Sequence, residues 1–334
     1  MENTLSQNRL YNKIASILEE SRKFVATTVN TTMVQTYFEI GRLIVEEEQQ
    51  GHVRAAYGKE TLKKLSEKLT ANYGKGFSQR NLEQMRQFFL TYSTQISQTP
   101  SSKFTLSYSH YLFLMRIDNP DERRFYEIEA TASKWSLREL KRQFDSALYE
   151  RLSLSSDKEK IKSLAAQGQI IESPRDIVKD PYVLEFLGLP EKSCYSESEL
   201  ESRLIEKLEH FLLELGKGYT FVGRQVRLTF DEKHFFVDLV FYNRLLQCFV
   251  LIDLKIGEIS HQDLEQMQMY VNYYDRFVKL DHENKTIGII LCKKKSDSLV
   301  EITLPEDNDQ IFASKYQTVL PNKEDLIKLI QAEN

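Results

Sequence analysis

Cysteine and proline are scarce in this chain of 334 residues, at three and seven, and glycine is modest at twelve. So little proline and glycine excludes a collagen-like or low-complexity chain. Cys194, Cys248 and Cys292 are odd in number, widely spaced and form no C-x-x-C pair. Neither a disulfide framework nor a zinc cluster is expected from them, and the thiols fit a reducing cytoplasm. Long apolar runs are missing too: none approaches the ~18–20 residues of a membrane span. The opening MENTLSQNRLYNKI lacks the apolar core of a secretory leader. Nor does one charge dominate. Forty-five Lys and Arg against 49 Asp and Glu give a net charge of −4, which excludes a generic polyanion binder. Any nucleic-acid affinity must come from local patches. The first 150 residues supply such a bias, with 21 basic against 18 acidic residues, while the remainder has 24 against 31. What is present is 41% hydrophobic residues, enough to build cores in about two domains.

The first 155 residues read as a helical domain. Leu10, Ile14, Ile17, Leu18, Val25, Phe38, Ile40, Leu43 and Ile44 recur at helical spacing. Leu62, Leu65 and Leu69 mark a short helix, Gly74 and Gly76 interrupt it, and Ser78 is placed to cap a second helix striped by Leu82, Met85, Phe88 and Phe89. Helix, glycine turn and capped helix make the outline of a helix-turn-helix. Lys75, Arg80, Asn81 and Arg86 then stand where groove-reading side chains would sit. A helical-bundle interaction domain uses the same turn, so dimerisation is the alternative role. The aromatic run SYSHYLFLMRI fits a core or dimer face better than a stacking platform for bases. The polar stretch STQISQTPSSK separates it from the turn.

Residues 156–194 read as a linker or docking segment, and residues 195–334 as an α/β domain. One helix is expected over 196–215, ending at Gly216 and Gly218. The strands TFVGRQVRLTF, HFFVDLVFYNR and CFVLIDLK follow, then a helix from His261 to Tyr274 and the buried strand TIGIILCKK. Continuous apolar strands around a helix predict a central mixed sheet covered on both faces, with a parallel crossover.

Charge inside these apolar strands is the chemical signal. Side chains alternate along a strand, so Asp253 and Lys255 project to one side. Asp238 sits between Val237 and Leu239 on the preceding strand. Paired carboxylates in apolar surroundings repel and suffer desolvation. A divalent cation removes both penalties, and Mg²⁺ takes oxygen ligands together with substrate phosphates. Lys255 would orient or deprotonate a water and offset phosphate charge. Stepping by 4 and 3 from Leu215 through Leu212, Leu208 and Ile205 reaches Glu201 on the core-facing stripe, whereas Glu214 falls off it. Gln266 and Tyr270 share one helix face, and Ser260 with Asp263 forms a capping-box signature for that helix. A lone D-x-K is weak and also fits a solvated edge strand; the flanking LVFY and CFVLI runs argue against an edge. His210 and His261 read as helix-surface residues. Arg224 and Gln225, in VGRQ, fit phosphate contacts or a strand-end salt bridge.

Helix Glu, strand Asp, D-x-K on the next strand and Q-x-x-x-Y on the following helix resemble the PD-(D/E)xK nuclease superfamily, and within it the YhcG-like family. FLLELGKGYTFVGRQ, FFVDLVFYNRLLQCFVLIDLK, HQDLEQMQMYVNYYD and TIGIILC carry the likeness, continued by GKGFSQRNLEQMRQFF, LSYSHYLFLMRI and WSLRELKRQFDSALYERL. The resemblance implies a restriction-endonuclease-like domain that hydrolyses nucleic-acid phosphodiesters, DNA before RNA, with Mg²⁺ as cofactor and Mn²⁺ as a substitute. It implies Asp238 and Asp253 as metal ligands, the Leu254 carbonyl as a further one and Glu201 completing the shell. Lys255 acts on water, and Gln266 and Tyr270 position the substrate backbone or the lysine. Val237 replaces the superfamily's proline, and the shorter Asp253 stands at the Asp/Glu step. A catalytically silent DNA-binding or assembly protein and an RNA-directed nuclease are the alternative readings. A cytoplasmic location and a homodimer complete the expectations.

Overall fold

The structure is a computed structural model that describes residues 2–50, 55–93, 104–154, 158–191, 195–230 and 232–332. Cys194 and all but Ser93 of the polar stretch at 93–103 lie outside these residues. The chain divides into two compact units, Met1–Leu140 and Lys141–Asn334.

The first unit is helical. It holds α1 (Glu2–Gln50), α2 (Ala55–Tyr73), α3 (Gln79–Tyr92), α4 (Tyr108–Leu114) and α5 (Pro120–Ala132), and α6 (Leu137–Asp145) begins in it. Between α2 and α3, Gly74 adopts a left-handed φ of 91°, a single 3-10 turn covers Lys75–Phe77, and the Ser78 hydroxyl caps α3 at the Asn81 amide. The packing of α3 on α1 depends on Gly41, where an added Cβ would lie 2.1 Å from the Met85 carbonyl oxygen. Phe88 is fully buried, its ring 5.1–5.7 Å from those of Phe38, Phe104, Tyr108 and Tyr111. The SYSHYLFLMRI segment is therefore core: His110, Tyr111, Leu114 and Ile117 are all buried.

The second unit is built on six strands. They are β1 (Tyr182–Val183), β2 (Tyr219–Phe230), β3 (Lys233–Asn243), β4 (Cys248–Glu258), β5 (Ile287–Lys294) and β6 (Ile311–Gln317), ordered β1-β6-β5-β4-β3-β2. β2, β3 and β4 form an antiparallel meander, and β4, β5, β6 and β1 run parallel. Around them lie α7 (Leu148–Leu154), α8 (Lys158–Gln167), α9 (Glu197–Glu206), α10 (Leu208–Leu215), α11 (His261–Phe277), α12 (Asp297–Thr303) and α13 (Lys323–Ala332). This is the mixed, two-faced sheet expected from the apolar strands. Ile252 and Leu254 pack with Leu200 and Leu204 of α9 and Phe211 of α10, while Leu251 and Ile290 pack with Leu264, Met267 and Val271 of α11. α11 supplies the parallel crossover from β4 to β5. Gly288 lets it lie close, since a Cβ there would sit 2.6 Å from the Met267 side chain.

The helix expected over 196–215 is two helices, broken at Lys207 with φ −112° and ψ 30°. The break resets the helical phase and corrects the placing of Glu214, which is fully buried rather than off the core face. Its carboxylate accepts from Arg151 at 2.6 Å, from the Val183 amide at 3.0 Å and from Arg142 at 3.3 Å. Lys179 donates to the Glu214 carbonyl. Residues 174–191, within the segment read as a linker, also supply β1 and the core residues Ile177, Tyr182, Leu184, Leu187 and Leu189.

Candidate active site

β3 and β4 pair from Asn243↔Cys248 to Leu239↔Ile252. The next residues along the two strands are Asp238 and Asp253. There the Asp238 side chain takes up a main-chain donor, its Oδ2 accepting the Leu254 amide at 2.8 Å. On the β2 side, Gln225 faces Asp238 between the pairs Arg224↔Leu239 and Val226↔Val237. Gln225 holds a left-handed φ of 46°, a conformation that costs a non-glycine residue about 1–2 kcal/mol. Its Nε2 donates to Asp238 Oδ1 at 2.9 Å and to Glu201 Oε2 at 2.7 Å. One amide thus clamps an acid from α9 to an acid from β3.

Asp253 is 3% exposed. Burial first, and the Asp238 charge second, push its carboxyl up to about 7 against the pull of Lys255. Lys255 lies on the same side of β4, with Nζ 2.9 Å from Asp253 Oδ2. That contact is a charge-assisted pair between the two side chains. Burial works against the Lys255 ammonium, but Asp253, Asp263 and Glu197 outweigh it and hold its pKa above the ordinary lysine value. Three carboxylates thus surround the Lys255 ammonium. Burial likewise raises Glu201, as does Asp238, while the Gln225 hydrogen bond lowers it.

α11 starts with the expected capping box: Asp263 Oδ2 accepts from the Ser260 amide and hydroxyl, and Ser260 Oγ accepts from the Asp263 amide. The other oxygen, Oδ1, lies 3.5 Å from Lys255 Nζ. Asp263 thus joins the site, a role its cap signature concealed. Glu197 is a second addition, at the first turn of α9, where its carboxylate accepts from the Ile256 amide at 3.4 Å. One turn along α11, Gln266 donates to the Tyr270 hydroxyl, and that hydroxyl donates to the Phe236 carbonyl at 2.8 Å. This chain ties α11 to β3 two residues before Asp238. Among the described residues neither side chain hydrogen-bonds Lys255.

Glu201, Asp238, Asp253 and Lys255 come together where the pairing of β3 with β4 ends, although not as a finished coordination shell. Among the described residues no three His, Cys, Asp or Glu side chains are gathered to hold a metal. The chemistry of the donors nevertheless fits a hard divalent cation. All are oxygens, Asp253 is buried, and the Asp238 charge beside it disfavours its ionised form. Glu214 belongs to the Arg151 cluster instead. His261 is exposed, and His210 stacks on Phe186 at 5.7 Å. In the first unit, Arg86 pairs with Glu48 at 2.7 Å and Asn81 donates to the Gly76 carbonyl at 3.0 Å, while Arg80 and Lys75 face solvent. Arg224 is exposed as well.

The chain is 39% identical over 351 residues to the Escherichia coli (strain K12) protein named "Putative nuclease YhcG", covering 97% of this chain and 93% of that one. It belongs to the YhcG family. The family model for the YhcG PDDEXK nuclease domain matches residues 175–331, and that for the DUF1016 N-terminal domain matches residues 13–151. The YhcG nuclease domain therefore coincides with the unit that carries Asp238, Asp253 and Lys255. Among solved structures, a repair endonuclease from Pyrococcus abyssi is similar at 14% identity and TM-score 0.25, over 40% of this chain and 50% of that one. EndoMS in complex with dsDNA2 is similar at 17% and 0.26, over 40% and 48%. The chain spans about half the length of each of these two. No helix among the described residues is long and apolar enough to cross a membrane.

Proposed function

We propose that this YhcG-family chain is a divalent-cation-dependent nuclease that hydrolyses DNA phosphodiesters, with Mg²⁺ as the resident ion and Mn²⁺ as a working substitute. The observation that carries the reading is the buried Asp253 carboxylate, beside the Asp238 charge and paired with Lys255 at 2.9 Å. Asp238, Asp253 and the Leu254 carbonyl would hold the ion, with Glu201 completing the set. When bound, the ion supplies charge stabilisation to the phosphoryl oxygens and lowers the pKa of a water.

This chain's residues do the rest. Gln225 holds Glu201 beside Asp238 by donating to both carboxylates. Lys255 stays an ammonium, so it donates to the attacking water or to a nonbridging phosphate oxygen and offsets charge developing there. Asp263 and Glu197 fix that ammonium from α11 and α9. Gln266 and Tyr270 brace α11 against β3 and so position the lysine indirectly. Arg224 on β2, with Arg80 and Lys75 of the helical unit, supplies backbone contacts outside the reaction centre. Residues 1–155 act in DNA binding or assembly through the helix-turn-helix, and residues 195–334 in cleavage. A cytoplasmic location is supported by the two free, buried thiols, Cys248 and Cys292.

The test is incubation of the purified chain, with Mg²⁺, with Mn²⁺ or with chelator, against duplex, single-stranded and branched DNA and against RNA. Cleavage of DNA that needs the ion is expected. Binding without cleavage under every condition would favour a silent assembly protein, and cleavage confined to RNA would replace the substrate.

A further inference from the structure

We propose that the exposed first part of α1 is the surface through which two copies of this chain pair, antiparallel, into a homodimer. The inference is independent of the nuclease reading. From Arg9 to Asn30 every residue except Ala15 is exposed. Yet the stretch carries large apolar side chains, among them Tyr11 at 71%, Ile17 at 62% and Phe24 at 72% exposure. Burial on α1 begins only at Val34 and Phe38.

The apolar residues are not scattered. At about 100° per residue, Leu10, Tyr11, Ile14, Ile17, Leu18 and Phe24 fall within an arc about 140° wide, with Ser21 near its centre. The opposite face holds Asn12, Ser16, Glu19 and Lys23. The next stretch, FVATTVNTTM, is rich in Thr and Val, which are weak helix formers. A helix of such composition surrounded by water is marginal, and packing of its apolar face is what sustains it.

Charge on the borders of the stripe makes it complementary to a second copy of itself. Lys13 and Glu20 flank one border, and Tyr11 and Arg22 flank the other. When two copies lie antiparallel, like borders meet. A midpoint near Ser16 and Ile17 then sets Lys13 of each copy against Glu20 of the other, and Tyr11 against Arg22, each twice. The first is an ion pair and the second a cation–π contact. Ile14 and Ile17 meet at the centre, and Leu10 approaches Phe24 at each end. Parallel pairing would instead set the two borders against each other, Lys13 beside Tyr11 and Glu20 beside Arg22, so that Lys13→Glu would not be rescued by Glu20→Lys and the charge exchange reads the direction. Val25, 59% exposed and inside the same arc, makes seven apolar side chains per copy; each covering on the order of 80 Å², they bury about 1,100 Å² in all. That clears the floor of roughly 1,000 Å² for a specific interface.

Analytical ultracentrifugation of the full chain tests this, with circular dichroism as the check on folding. The wild type is expected at twice its 39.2 kDa, and Ile14→Asp/Ile17→Asp at the monomer mass with a spectrum that loses no more helix than the first part of α1 contributes. Lys13→Glu sets like charges together at two symmetric places and weakens the dimer about tenfold; adding Glu20→Lys restores it. A monomeric wild type, a dimer that survives Ile14→Asp/Ile17→Asp, or no rescue by the charge exchange would each overturn the proposal.

Discussion

Replacing Glu214 by glutamine separates the two buried helix acids by what each one does. The Glu214 and Arg151 side chains are both 0% exposed, and their 2.6 Å pair is reinforced by Arg142, Lys179 and the Val183 amide. Burial alone would raise the Glu214 carboxyl. Arg151, Lys179 and Arg142 outweigh it and hold the group at about 2, against an ordinary 4.5. That gap corresponds to about 3 kcal/mol of stability at neutral pH. Stranding one partner of a buried pair costs about 3–5 kcal/mol, so two routes agree. Against a total of roughly 5–15 kcal/mol, Glu214→Gln should shift urea unfolding at pH 7 by a large fraction of the transition. Because the folded value lies below the unfolded one, the contribution is complete above about pH 4.5 and is lost as pH falls toward 2. The gap between variant and wild type should close over that window. Glu201→Gln, whose carboxylate is held only by Gln225 among the described residues, should change stability by less than about 1 kcal/mol and abolish cleavage. A Glu214→Gln chain as stable as wild type, or a difference that ignores acidification, would refute the reasoning.

Three further outcomes follow from the site and the packing. Gln225→Gly removes the clamp while relieving the left-handed φ, so DNA cleavage should slow on the order of 10²-fold in a chain that melts no lower than wild type. Asp253→Asn should raise the melting temperature of metal-free protein at pH 8 while ending cleavage. The folded pKa of Asp253, about 7 against 3.8, means that its ionisation destabilises the fold as pH rises through that interval. Hence the gain should vanish near pH 4. Gly41→Val drives its side chain into the Met85 carbonyl and should unfold the helical unit by several kcal/mol, seen as lost protection of α3 amides in hydrogen exchange.

The sheet and its acids were legible because strand signals are local. Apolar runs interrupted by single charges at Asp238, Asp253 and Lys255 needed only the period of two to place them. Ser260 and Asp263 announced α11 in the same way. Glu214 was misplaced because helical phase assumes an unbroken helix, and nothing in EKLEH marks Lys207 as a break. Asp263 as a partner of Lys255, and Gln225 as the bridge between Glu201 and Asp238, depend on contacts across elements. A one-dimensional pattern carries no such information. β6 escaped notice because IFASKYQ mixes Ser and Lys into a strand that is half-covered, and β1 because two residues hold no period at all.

The central claim is that Asp238, Asp253 and Lys255 form one phosphodiester-hydrolysing centre. Single-turnover cleavage of labelled duplex DNA by wild type, Asp253→Asn and Lys255→Met in Mg²⁺ tests it most directly. Strand scission by the wild type and none by either folded variant, with DNA retained by all three, is the predicted result. Cleavage at the wild-type rate by either variant would contradict it.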